Sequence, residues 1–568
     1  MSGAPGGPLA QAFANAVMRL HRAAPGREAA FGGQGEDGFD GGSEDLALLE
    51  LWARRAWLAS AEGHAFVPVP DAQERERLAG SPAVVRPGTP GAPAAPLVID
   101  GDALYLHRLW RAESVLADRL VALDAAAPLA DERRVEAGLD AVAPEGRVDP
   151  LQREAVRTAL SRRLAIVTGG PGTGKTTTMA RLLVAFLRLS PGARVAIAAP
   201  TGKAAARLAQ SLASQLAWLD PDGSLAGRLP VAGMTVHRLL GLRGDDSGPA
   251  PGAMRHDLLI VDEASMLDLE LARALVASIP EDGRLVLAGD RDQLASVEAG
   301  AVFAEACSSP LGAVVRLQRN YRQSAAPGLA AFAAWLRDRW QSPDVAMPAG
   351  ADGVAILGRA PASAIADRAL AAWSPALAAL ADGKLPGQVA AAFDEHRVLC
   401  ALREGPCGAA AINAAIAARI RRRVGAPAGA IWYTGRIVIV TRNRPELGLY
   451  NGDVGICLPD ASGSLAVAFD AGGALRWQPV RQMPAHDDAF AITVHKSQGS
   501  EFDTVALVAA PAGHASNTRE LLYTGATRAR SGLVVWADAD ALEDGATRRT
   551  ERHGRLADRI ADLIEGRP

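Results

Sequence analysis

Apolar and polar positions alternate in two different ways along this chain, and the change falls near Val148. Downstream, short β-rich apolar runs at 164–168, 195–199, 258–262 and 285–289 alternate with segments of helical periodicity. Such alternation predicts a parallel sheet flanked by helices. A second set at 397–402, 504–509 and 532–537, with 490–494 nearby, predicts a second α/β unit. Between them, residues 437–440, 454–457, 465–469 and 475–479 form short apolar runs divided by Gly/Asp turns. They predict a small β-barrel insert over 430–487. Upstream, the pattern predicts a helix over 9–24, a Gly/acidic stretch near 32–45 and a Pro/Gly-rich surface loop over 80–96. A strand at 97–99, a tight turn at Gly101-Asp102 and a helix over 113–123 follow. The expected organisation is a mainly helical N-terminal domain (1–135), two α/β domains (136–335 and 336–568), and the β insert within the second.

Composition narrows the classes. The chain has 568 residues, enough for about three or four domains, and 49% of them are apolar. No apolar run reaches the roughly 18 residues of a membrane span, and residues 1–8 show no secretory pattern, so a cytoplasmic protein is expected. The four cysteines, Cys307, Cys400, Cys407 and Cys457, form no CxxC pair; buried thiols in a reducing compartment are expected. A net charge of -3 announces no polyanion binder, but a basic channel can sit on a neutral protein. Of 60 basic residues only Lys175, Lys203, Lys384 and Lys496 are lysine. Three of these four lie in the motifs below, where a compact ammonium differs from a planar guanidinium.

Gly169-Gly170-Pro171-Gly172-Thr173-Gly174-Lys175-Thr176 matches the phosphate-loop pattern G-x-x-x-x-G-K-[ST]. An apolar run precedes it, and Met179, Leu182, Leu183, Phe186 and Leu187 follow on one helical face, so a helix N-terminus faces the phosphates. Lys175 would reach the β- and γ-phosphates of ATP, and Thr176 would ligate Mg²⁺. Downstream, Leu258-Leu259-Ile260-Val261 delivers Asp262 and Glu263 to a strand end. Asp262 would hold Mg²⁺, and Glu263 would orient and deprotonate the attacking water. These features imply RecA-like P-loop NTPase domains.

Further motifs resemble those of the superfamily-one helicases. Gln152 stands where these proteins read adenine. Ala199-Pro200-Thr201-Gly202-Lys203 and Thr235-Val236-His237 resemble motifs Ia and Ib, which hold single-strand phosphates. Gly289-Asp290-Arg291-Asp292-Gln293 resembles motif III, with Gln293 sensing the γ-phosphate. Gln318-Arg319-Asn320-Tyr321-Arg322 resembles motif IV, with Arg322 its phosphate arginine. Ile492-Thr493-Val494-His495-Lys496-Ser497-Gln498-Gly499-Ser500-Glu501 resembles motif V. The resemblance assigns Thr493, His495 and Ser497 to DNA, and Gln498, Gly499 and Glu501 to nucleotide. Tyr523-Thr524-Gly525-Ala526-Thr527-Arg528 resembles motif VI and makes Arg528 the expected arginine finger. ATP bound between the two domains would draw them together, and its hydrolysis would release them.

Beyond these motifs, the chain resembles the RecD family, the alpha subunits of exodeoxyribonuclease V. Ser60-Ala61-Glu62-Gly63-His64-Ala65-Phe66-Val67-Pro68-Val69, Leu97-Val98-Ile99-Asp100-Gly101-Asp102 and Leu447-Gly448-Leu449-Tyr450-Asn451-Gly452-Asp453 carry that resemblance. It implies a 5′→3′ DNA helicase acting with RecB and RecC on double-strand breaks, an SH3-like insert, and an N-terminal region that docks the partners. A stand-alone RecD-like helicase and a regulatory ATPase without translocation remain open. Residues 242–257 are too short for a large strand-splitting domain. Asp382-Gly383-Lys384 is the one (D/E)-x-K sequence and lacks an acidic strand upstream, so cleavage is expected from a partner.

Overall fold

The computed structural model describes residues 7–22, 41–89, 95–125, 128–228, 233–242, 254–321, 326–348, 350, 352–470 and 475–566. The N-terminal region contains helices α1 (Gly7–Arg22) and α2 (Gly41–Ala61), strand β1 (Phe66–Pro68), helix α3 (Ala72–Ala79), strands β2 (Val84–Val85), β3 (Leu97–Asp100) and β4 (Ala103–Leu106), and helix α4 (His107–Asp124). Its sheet runs β1-β4-β3-β2. A short strand thus lies inside the stretch expected as pure loop. Val84 and Val85 pair in parallel with β3, which supplies the backbone bonds the flanking prolines cannot. The Gly101-Asp102 turn joins β3 to β4 as expected, with Gly101 at φ 62°. Helix α4 begins six residues before the expected 113.

The first parallel unit holds α5 (Glu132–Val142), α6 (Pro150–Ser161), β5 (Leu164–Thr168), α7 (Lys175–Leu189), β6 (Val195–Ala199), α8 (Gly202–Leu219), β7 (Met234–Thr235), α9 (Val236–Leu239), β8 (Leu258–Val261), α10 (Leu269–Ser278), β9 (Arg284–Gly289), α11 (Val302–Ala306) and β10 (Val314–Arg316). Sheet order is β10-β5-β9-β8-β6-β7, all parallel. Both faces are covered, which is why these strands read as unbroken apolar runs. Leu164 and Ile166 face one core with α4 and α10, while Ala165 and Val167 face the other with α6, α7 and α8.

The second unit follows with α12 (Pro327–Asp338), β11 (Val354–Leu357), α13 (Ala362–Ala372), α14 (Ser374–Ala381), α15 (Pro386–Asp394), β12 (His396–Cys400) and α16 (Ala409–Arg423). Strands β13 (Ile437–Val440), β14 (Val454–Pro459), β15 (Leu465–Asp470), β16 (Leu475–Pro479) and β17 (His486–Asp488) form a separate antiparallel sheet, order β16-β15-β14-β13-β17. It has its own small core of Val438, Val440, Leu449, Cys457, Val467 and Phe469. The chain then re-enters the parallel sheet through β18 (Ala491–Thr493), β19 (Phe502–Val508), α17 (Arg519–Ala526) and β20 (Ala529–Trp536), giving β11-β20-β19-β12-β18. Cys307, Cys400 and Cys457 are buried as expected; Cys407 is half-buried, its thiol donating to Ala360 O.

After α18 (Ala539–Thr547), the chain crosses back, and α19 (Leu556–Glu565) packs on α4 of the N-terminal region. Residues 552–565, expected with the second α/β unit, are therefore held by the N-terminal region and the first unit. Leu556 and Ile560 join the core that contains Leu116 and Phe303. Glu113, 1% exposed, accepts from Tyr105 Oη, Arg555 N and Arg559 Nε. Glu305 accepts from Leu556 N at 2.8 Å. No helix among the described residues is long and apolar enough to cross a membrane.

Candidate nucleotide site and nucleic-acid face

The Gly-rich turn after β5 wraps tightly because Gly172 (φ 78°) and Gly174 (φ 84°) adopt left-handed backbone, which side chains disfavour. A Cβ on Gly174 would sit 2.2 Å from Gln152 Nε2. Thr173 Oγ1 donates to Gly170 O (2.8 Å), and Tyr321 N donates to Gly172 O (2.9 Å). Helix α7 starts at Lys175, so its free first-turn amides point into the loop. The Lys175 ammonium donates to Gly169 O (2.6 Å) and Gly170 O (3.2 Å).

Strand β9 lies beside β5, and β8 beside β9, and these parallel strands bring their C-terminal ends to the same edge. Asp262 Oδ1 accepts from Glu263 N at 2.9 Å. Burial, then the charge of Glu263, pushes the Asp262 carboxyl up to about 6, against the pull of Lys175. Glu263 has φ 53°, the one positive value at a non-glycine residue among the described residues. Such strain collects where side-chain aim matters. From β9's end, Gln293 Nε2 donates to Asp290 Oδ2 (3.1 Å).

The second unit closes over this edge. Arg528 is 3% exposed; its guanidinium donates to Gln293 Oε1 (2.5 Å), Thr524 O (3.2 Å) and Ser500 O (3.3 Å). Tyr523 Oη donates to Asp290 Oδ2 (3.0 Å), and Leu294 N donates to Thr524 Oγ1 (2.9 Å). The resulting cleft, about 930 Å³, is lined from the first unit by Gln152, Lys175, Thr176, Asp262, Glu263 and Gln293, and from the second by Gly499, Glu501 and Arg528.

Several sequence expectations change in three dimensions. Gln498 does not line the cleft: its amide donates to Leu294 O (3.1 Å), joining the two units behind it. Ser497, expected to face DNA, is fully buried, and its hydroxyl donates to Val494 O (2.7 Å) within a 3₁₀ turn. Glu501 lines the cleft but is ion-paired with Arg207 on α8 and with Arg530 (3.4 Å). Arg322 lies outside the described residues, as do residues 243–253 of the segment joining motifs Ib and II. The sequence reading missed Arg181, which donates to Gln152 Oε1 (3.2 Å), and Arg207. Arg207 sits one helical turn after Ala204, the residue touching Gly499, so spacing along α8 was its only signal.

The expected nucleic-acid residues gather on helix starts and turns. Thr201 and Thr235 cap α8 and α9, accepting from Ala204 N (3.3 Å) and Arg238 N (3.2 Å). Their hydroxyls thus have structural duties as well. His237 and His495 are exposed. Thr493 is half-buried and accepts from Lys496 N (3.4 Å). Lys203 is half-buried, with Nζ 5.9 Å from the Phe502 ring centre. Burial, with Arg397 and Arg207 nearby, lowers its pKa. Tyr450 of the β insert reaches the start of α8: a Cβ on Gly202 would lie 3.8 Å from Tyr450 Cβ.

The residues fit ATP and a divalent cation on chemical grounds. An amide-lined glycine loop beside an ammonium suits phosphate, and the Thr176 hydroxyl with the half-buried Asp262 carboxylate offers hard oxygen donors. Fold and site together define an ATP-driven helicase motor of superfamily one. The AAA domain model matches residues 147–347, and the UvrD-like helicase C-terminal domain model matches residues 488–536. The chain belongs to the RecD family of ATP-dependent DNA helicases. It is 37% identical to the RecBCD enzyme subunit RecD of Mycolicibacterium smegmatis, over 86% of this chain and 87% of that one. It is 29% identical to the Haemophilus influenzae RecBCD enzyme subunit RecD, over 83% and 82%. The ATP-dependent RecD2 DNA helicase of Deinococcus radiodurans is 31% identical over 80% of this chain and 58% of that protein.

Proposed function

We propose that this chain is the 5′→3′ motor subunit of a RecBCD-type helicase–nuclease, working in the cytoplasm with RecB and RecC on DNA ends. In this reading residues 1–135 dock the partners, 136–335 and 336–568 are the two motor domains, and 430–487 form an SH3-like insert. The observation carrying the motor assignment is the shared cleft, with Lys175 and Gln293 on one wall and Arg528 bonded across to Gln293.

The mechanism follows from what each wall holds. Lys175 exchanges its loop carbonyls for the β- and γ-phosphate oxygens of ATP, while the loop amides and the α7 N-terminus hold the remaining charge. Thr176 and Asp262 would hold Mg²⁺, which supplies charge neutralisation on the phosphate oxygens. Glu263 orients the attacking water and takes its proton. Arg528, buried and water-excluded, stabilises charge developing in the transition state, and Gln293 couples that guanidinium to the first wall. Closure and release move Thr201, Lys203, Thr235 and His237 relative to Thr493 and His495, so a strand held by both sets advances.

The test is ATP hydrolysis by the purified chain with and without single-stranded DNA, beside Lys175→Gln. The expected result is DNA stimulation that vanishes in the variant, with movement toward the 3′ end of the bound strand and co-purification with RecB and RecC. Hydrolysis indifferent to DNA, alone and with both partners, would overturn the motor assignment. Full unwinding without partners would favour a stand-alone helicase.

A further inference from the structure

We propose that Arg207 is a terminal-phosphate-binding residue whose guanidinium alternates between Glu501 and the γ-phosphate of ATP. The inference rests on the nucleotide reading of the cleft given above. Three observations carry it. Arg207 lines the cleft from α8, on the same helical face as Ala204, Leu208 and Ser211. It is ion-paired with Glu501, which belongs to the opposite wall, so the pair bridges the two walls where ATP must enter. Its charge also reaches Asp262, which places it toward the catalytic end rather than toward the Gln152–Arg181 pair.

The exchange has a physical driving force. The Arg207 side chain is 37% exposed, so its pairing with a single carboxylate is partly screened. A triphosphate presents several negative oxygens to a planar fork suited to bidentate binding. Glu501 is not stranded by the exchange, because Arg530 Nε lies 3.4 Å from the same carboxylate oxygen that Arg207 holds. With the terminal phosphate gone, the Arg207 guanidinium returns to Glu501. Because α8 begins at Gly202-Lys203, beside the expected DNA contacts, the helix that senses the phosphate is also one that grips the strand.

Equilibrium binding of fluorescent ATP and ADP analogues to the full-length chain tests this, with nucleotide-free melting recorded for each variant. Arg207→Gln is expected to weaken the ATP analogue about 10- to 100-fold, the range for one charge-assisted bond. The ADP analogue should change less than about threefold, and Arg207→Lys should recover part of the ATP loss. Equal losses for ATP and ADP would reduce the pair to a tie between walls and overturn the proposal; so would unchanged ATP affinity in a variant that melts like the wild type. Lys175→Gln separates the two readings. If it binds both analogues normally, the nucleotide assignment itself falls. If it loses both while Arg207→Gln does not, only the role of Arg207 falls.

Discussion

Glu113→Gln should release the C-terminal helix without unfolding the motor. Glu113 is 1% exposed and accepts from Tyr105 Oη (3.0 Å), Arg559 Nε (2.9 Å) and Arg555 N (2.9 Å). The amide keeps the shape but removes the charge and turns one accepting oxygen into a donor, facing groups that themselves donate. Removing one partner of a buried ion pair costs about 3–5 kcal/mol. Here Arg559 is 19% exposed and keeps Asp100 at 2.7 Å, so about 2–3 kcal/mol is expected. The loss falls on the anchoring of 552–565, and it should raise local opening of α19 by about 30- to 150-fold. Hydrogen exchange of the α19 amides, read by mass spectrometry with β12 and β19 as internal controls, measures this directly. An α19 acceleration below about threefold, or an equal acceleration throughout the second sheet, would refute the local-anchor argument.

Arg528→Ala should lower kcat for DNA-stimulated hydrolysis by about 10³–10⁵; single-turnover assays at saturating ATP check it, and a loss below tenfold would remove Arg528 from the finger role. Gly499→Ala places a methyl 3.0 Å from Ala204 Cβ at φ 74°, where left-handed backbone alone costs about 1–2 kcal/mol. ATP affinity should fall about tenfold, measured by analogue titration, and an unchanged value would mean the wall does not close on α8. Burial, then the charge of Glu113, raises the Glu305 carboxyl to about 7 from its ordinary 4.5. The folded chain therefore holds a proton that the unfolded chain releases between these values. This stability is fully present below pH 4.5 and is lost as pH rises through 7, by up to about 3 kcal/mol. Melting of wild type minus Glu305→Gln between pH 5 and 8 should fall with pH; parallel curves would argue against it.

Much of the candidate nucleotide site was legible because its chemistry is local. The phosphate loop, its flanking strand and helix, and the Asp262-Glu263 strand end each lie within a few consecutive residues, where glycine conformation and apolar periodicity decide the structure. The strands buried on both faces were legible for the same reason. Tertiary structure alone decided which motif residues face the cleft. Ser497 turned inward because the 3₁₀ turn after Val494 consumed its hydroxyl, and Gln498 was drawn to Leu294 O across the unit boundary. The pairing of Arg207 with Glu501 and of Glu113 with Arg555 and Arg559 joins residues hundreds of positions apart. No periodicity encodes such contacts. They depend on how two sheets and a returning helix settle against one another, which is a property of the packed whole and not of any window along the chain.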